Sequence, residues 1–264
     1  MRRPVAIIPL ALIGCASVPQ DADLSGGRGE GLVGGPPGAG GVPEDEGCIT
    51  WAPGFGEWGG AVHTSLLSRT GYDFDAGIAA ALEQAPATGE VTGLELRIED
   101  AVVTNVGSPR SGGPNIWFED AGGALRTYAV EGTDGIAPGD LVSMTITAID
   151  VYGGEIQISD AEDVSWTDAD EPVHVVDQTA GAVNYPVHGR QNVFTWGEIT
   201  SGGGGCGGSS VCVDYEANGQ NFVIRIGDSQ APDIGACMVL LAPLGTFNQD
   251  LQINIDNYDW RVEY

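Results

Sequence analysis

The chain has 264 residues, 37 of them acidic against ten basic, with three histidines and a formal net charge of −27. Lysine is absent altogether. A surface this negative repels phosphate backbones, so charge argues against nucleic acid as a partner, and the length allows one large domain or two small ones.

The first element is a basic start, Met1-Arg2-Arg3, followed by the apolar run Val5-Ala6-Ile7-Ile8-Pro9-Leu10-Ala11-Leu12-Ile13. A membrane-spanning helix needs about 20 apolar residues, so this run predicts a secretory signal over residues 1–14. It ends in Leu12-Ile13-Gly14-Cys15, which resembles the lipobox of bacterial lipoproteins. The resemblance implies cleavage before Cys15 and a diacylglycerol thioether on its sulfur, with the membrane as a partner through that anchor. Ala16 and Ser17 follow, and the lack of aspartate at the second position implies sorting to the outer membrane. Two acyl chains give stable anchoring, at about 0.8 kcal/mol per buried CH₂. Cleavage would leave eight basic residues against 37 acidic ones.

Residues 15–47 read as a tether. Ser25 to Gly47 holds ten glycines and three prolines in 23 residues, with little apolar material to bury. Residues 48–87 begin with an aromatic, glycine-broken loop, Cys48 to Trp58, and continue into one short helix over Asp73–Gln84. Asp73 or Asp75 can cap that helix, Pro86 ends it, and Phe74, Ile78 and Leu82 fall on one face. With Cys15 set apart by its lipid, Cys48, Cys206, Cys212 and Cys237 form an even set suited to disulfides in an oxidising compartment. Cys206 with Cys212 makes a local staple that leaves Cys48 to Cys237; the competing pair, Cys212 with Cys237, joins two strands.

From Val91 the hydrophobic period becomes two. Strands are expected over 91–106, 115–120, 125–130, 141–152 and 155–160, one long, two short in a hairpin, one long, one short. That pattern suits a small five-stranded closed barrel. The run Trp117-Phe118-Glu119-Asp120 with Gly139-Asp140 and Tyr152-Gly153-Gly154-Glu155-Ile156-Gln157-Ile158 resembles exported bacterial oligonucleotide/oligosaccharide-binding (OB) folds. The resemblance covers residues 88–167. Residues 172–264 read as a second, degenerate copy, with strands over 191–199, 210–215, 221–226, 235–247 and 251–256 and a turn at Asn218-Gly219. The expected class is therefore all-β, two OB-like barrels in tandem, with a single β-sandwich as the alternative.

Chemistry is hard to find. No GxSxG, HExxH or phosphate-binding loop is present, so no catalytic, metal or cofactor residues are assigned. His63, His174 and His188 are scattered, and His174 between Val173 and Val175 reads as a strand residue. The acid pairs Asp73/Asp75 and Asp256/Asp259 and the run Asp168/Asp170/Glu171 lack calcium-loop spacing. The OB resemblance implies a ligand surface on strands two and three, where Trp117, Arg126 and Tyr128 could share a face for stacking on a sugar or base. The structural alternative packs Trp117 against the second barrel. The reading is a non-enzymatic envelope scaffold or interaction protein, the other being a binder of oligosaccharide or another small ligand.

Overall fold

The computed structural model describes Cys48 and residues 77–108, 111–171, 173–206, 210–226, 231–255 and, for the backbone, 260–263. The expected signal, Cys15 and tether, the residues Asp73, Phe74 and Asp75 expected to begin the helix, the expected loop 49–58, His63, Asp256 and Asp259 lie outside the described residues.

Helix α1 (Ile78–Gln84) leads into β1 (Gly89–Val106), β2 (Ile116–Asp120), β3 (Gly123–Arg126), β4 (Leu141–Tyr152) and β5 (Glu155–Thr167). These five lie in the order β3-β2-β1-β4-β5, and a parallel bridge between Thr127 and Ile158 brings the end of β3 back to β5. The long β1 serves two neighbours, β4 along most of its length and β2 at its C-terminal end. Alternation explains the ring: Val142, Met144 and Ile146 on β4 face inward and are buried, the residues between them are partly exposed, and past an irregularity in the pairing with β5 the inward place passes to Ile149. Ile98, Ile116, Phe118, Leu125, Ile149 and Ile158 complete the core.

The connection carries β6 (Val175–Asp177), a 3-10 turn at Gln178–Ala180 and the one-turn α2 (Tyr185–His188). The second set is β7 (Asn192–Gly205), β8 (Val211–Ala217), β9 (Gln220–Ile226), β10 (Cys237–Phe247), β11 (Asp250–Ile255) and β12 (Trp260–Glu263). β7 pairs with β8, β8 with β9, β9 in parallel with β11, β11 with β10, and β10 with β7, which closes a second ring of the same connectivity. Each ring encloses its own apolar core. The architecture is two OB-like barrels in tandem rather than one sandwich.

The differences from the sequence expectation have local causes. The strand expected over 191–199 runs on to Gly205, because Gly204 and Gly205 pair with Cys212 and Val211 beside the Cys206–Cys212 disulfide. β3 stops at Arg126, since Ala129 takes a positive φ of 55°. β5 runs on to Thr167, paired with β4 throughout. β6 and β12 were not expected; β6 is too short to show a period, and it adds to β7, whose residues Asn192–Gly197 are all buried. An outer cluster of Val175, Phe194, Trp196 and Val239 covers that second face.

The second disulfide joins Cys48 to Cys237. The local-staple pairing is therefore the one formed, and Cys212 is not joined to Cys237.

α1 plugs the first barrel with Ile78 and Ala81, both fully buried. Its N-cap, Gly77, offers no side chain, so the orphan amides find a remote partner. The Asp120 carboxylate accepts from Ile78 N at 2.9 Å and from Gly122 N at 2.6 Å. Gly122 lets the turn approach, since a Cβ there would lie 2.7 Å from Ala79 N. Asp120→Ala should cost roughly 1–2 kcal/mol in chemical denaturation, because it leaves two buried donors unmet. Asp160→Ala, at an exposed partner of Thr147, should change stability by less than about 0.5 kcal/mol.

Candidate functional site

β2 is buried at all five positions, although a strand alternates its side chains between two faces. Ile116 and Phe118 fill the barrel. Trp117 and Glu119 therefore point outward, yet they are only 4% and 3% exposed. Over Glu119 the cover comes from the inter-barrel connection, and Trp117 lies under Arg126 of β3.

Glu119 is clasped by His174, whose Nδ1 lies 3.1 Å from Oε2, and by the Gln191 amide at 3.3 Å. Opposite Glu119 on β3, the carbonyl of Ala124 accepts from Arg190 Nε at 2.8 Å. Asn192 donates to Thr104 O at 2.7 Å and accepts from Asn105 at 3.4 Å. Arg190 turns its other arm to the Tyr185 hydroxyl at 2.7 Å, beneath a ring that lies 5.0 Å from the guanidinium carbon. The Tyr185 oxygen also accepts from Ile156 N at 3.4 Å.

At the far end of the seam the turns of the two β-hairpins touch. Glu155 Oε2 accepts from Thr246 N at 2.9 Å, and Gly153 O from Asn248 N at 2.7 Å. Phe247 packs on Gly153, where a Cβ would lie 2.5 Å from the ring. The Tyr152 ring sits 5.9 Å from that of Phe247. These aromatics end β4 and β10, corresponding places in the two rings.

The three residues expected to share a ligand face are not brought together as one. Trp117 is buried with the Arg126 guanidinium 5.4 Å from its ring centre. Arg126 also donates to Gln157 at 3.1 Å, which in turn donates to Asp150 at 3.1 Å. Tyr128 lies beyond β3, 44% exposed, its amide bonded to Ile158 O. His174 sits just before β6 rather than in it, and its partner is Glu119. Among the described residues no group of acids, histidines and cysteines is arranged to hold a metal.

Sequence reasoning passed over Glu119, Glu155, Tyr185, Arg190, Gln191 and Asn192. One signal was available: Trp117 and Glu119 alternate on a single outer face, and a large aromatic beside a carboxylate there asks for a cover.

Burial dominates the electrostatics of the seam. It raises the pKa of Glu119 against the opposing pull of His174, and the hydrogen bond that His174 makes to Glu119 raises His174 in turn. The two directions agree if the pair retains one proton between carboxylate and imidazole. Burial also raises Glu155, against the nearby Arg126 and Arg190, and pushes the Tyr185 phenol up. One oxygen each of Glu119 and Glu155 has no hydrogen-bond partner among the described residues.

No protein-family model matches the chain, and no curated protein matches it. Among solved structures it is similar to the p204 HINb domain, at 12% identity over 66% of this chain and 98% of that one, with a TM-score of 0.32. The tetrameric p202 HIN2 matches at 10% identity over 69% of this chain and 100% of that one, with a TM-score of 0.35. The Ifi202 HINa domain in complex with 20bp dsDNA matches at 10% identity over 66% and 98%, with a TM-score of 0.32. At such identities the likeness bears on fold alone. One of these chains is held on double-stranded DNA, which stands against the expectation that nucleic acid is an unlikely partner; at TM-scores of 0.32 to 0.35 the likeness says nothing of what this chain binds.

The two raised groups have a measurable consequence. Glu119 and His174 ordinarily titrate near 4.5 and 6.5, and both are raised in the folded chain. From about pH 4.5 to above 6.5 the folded state therefore holds more protons than the unfolded state. Stability is full below that window and falls as pH rises through it. Glu119→Gln removes both effects, so the fall between pH 5 and 8 in denaturant titrations should be shallower than in the wild type. An equally steep fall would mean the pair does not share a proton.

Proposed function

We propose that this is a non-catalytic, lipid-anchored envelope protein in which the two barrels form one rigid interaction head. The observation that carries the head is the cover over β2 and β3. Part of the face on which an OB barrel would take a small ligand is covered instead, with Glu119 clasped by His174 and Gln191 of the inter-barrel connection and Trp117 under Arg126 of its own barrel. A buried polar seam of this kind holds two barrels in one orientation, because each bond has a single geometry and each unmet partner is costly.

The anchor rests on the sequence, on the basic start, the short apolar run and Leu12-Ile13-Gly14-Cys15. The two disulfides support an oxidising, exported setting. An outer-membrane destination follows from Ala16-Ser17 under the lipoprotein sorting pattern.

The test is growth of a bacterium expressing the chain with an alkyne-tagged fatty acid. The wild type should carry label and sediment with membranes, and Cys15→Ser should lose the label and leave the membrane fraction. Label retained by Cys15→Ser, or none on the wild type, would reject the anchor.

A further inference from the structure

Cys48 precedes α1 and the whole first barrel in the chain, yet it is fastened to the second. Its sulfur is joined to Cys237, the first residue of β10, across a sequence separation of 189 residues. Its carbonyl accepts a hydrogen bond from the indole of Trp196 on β7. Cys48 is itself 2% exposed, so the attachment is seated in the fold rather than hung from its surface. The strands that receive it are paired with each other from Cys237↔Glu198 to Pro243↔Asn192, and β10 is further paired with β11 and β12.

We infer that a pull between the chain upstream of Cys48 and the chain beyond Cys237 is borne by β10 to β12 of the second barrel, and that the first barrel is shielded from it. Force entering at Cys48 crosses the disulfide to β10 and leaves along the chain beyond Cys237. Residues 49–236, which include the entire first barrel, lie in a closed loop off that path. Without the bridge the same force would run through α1 and peel the first barrel strand by strand. The biological meaning rests on the proposed lipid anchor, because an anchor upstream of Cys48 is what would pull. Under that reading the second barrel is the base of the head and the first is the part presented without load.

The inference can be tested without a membrane, so its failure is separable from that of the anchor. The full chain, with one handle upstream of Cys48 and the other at its C-terminus, is stretched as a single molecule. Without reductant only residues 238–264 can extend, by at most about 100 Å at roughly 3.5 Å per residue. After reduction residues 49–264 can extend, by about 750 Å, a roughly eightfold gain. Cys237→Ser should give the long extension in both conditions. Should that variant fail to fold, protease cleavage between residues 49 and 76 of the wild type supplies a second measurement. The N-terminal piece should stay bound to the second barrel until a reductant is added. A long extension in unreduced wild type, no gain on reduction, or release of the piece without reductant would each overturn the inference.

Discussion

The interaction on which the molecule depends is the clasp on Glu119. A carboxylate that is 3% exposed on the outer face of a barrel strand would be untenable alone, since stripping water from an unpaired charge costs several kcal/mol. His174 and Gln191 make it tenable, and both come from the connection to the second barrel. Once they are in place, Arg190 falls against the Ala124 carbonyl and Asn192 against β1. The orientation of one barrel on the other follows from these few polar contacts, with Glu155 and the two hairpin turns holding the far end.

A polar seam differs in kind from an apolar one. Grease tolerates sliding, whereas the bonds of Glu119, Arg190, Asn192 and Glu155 each have one productive geometry. The arrangement sacrifices some stability, since burial raises both carboxylates and leaves an oxygen of each without a partner among the described residues. In exchange it defines one arrangement of two small rings, each with a modest core of its own.

Most of the fold was legible in the sequence because it rests on short-range rules. Alternation from Val91 gives β1; the inward residues of β4 are read directly from Leu141–Tyr152; Asn218-Gly219 marks the hairpin turn, with φ values of 47° and 71°. Disulfide pairing was narrowed by the six-residue spacing of Cys206 and Cys212. The seam was not legible, since its partners stand 55, 66, 88 and 91 residues apart in sequence. For Trp117 two readings stood open, a ligand face or packing against the second barrel, because strand alternation cannot say what lies on top of a face. Net charge could not carry an exclusion of nucleic acid, because it is a property of the whole chain and not of any one face.

If the clasp unites the barrels, they should open together. Native-state amide hydrogen exchange in increasing denaturant can follow β4 in the first barrel and β8 in the second within one sample. The account predicts that the slowest amides of both strands converge on one free energy of opening with one denaturant dependence. Two separate free energies, with either barrel opening while the other stays closed, would contradict it.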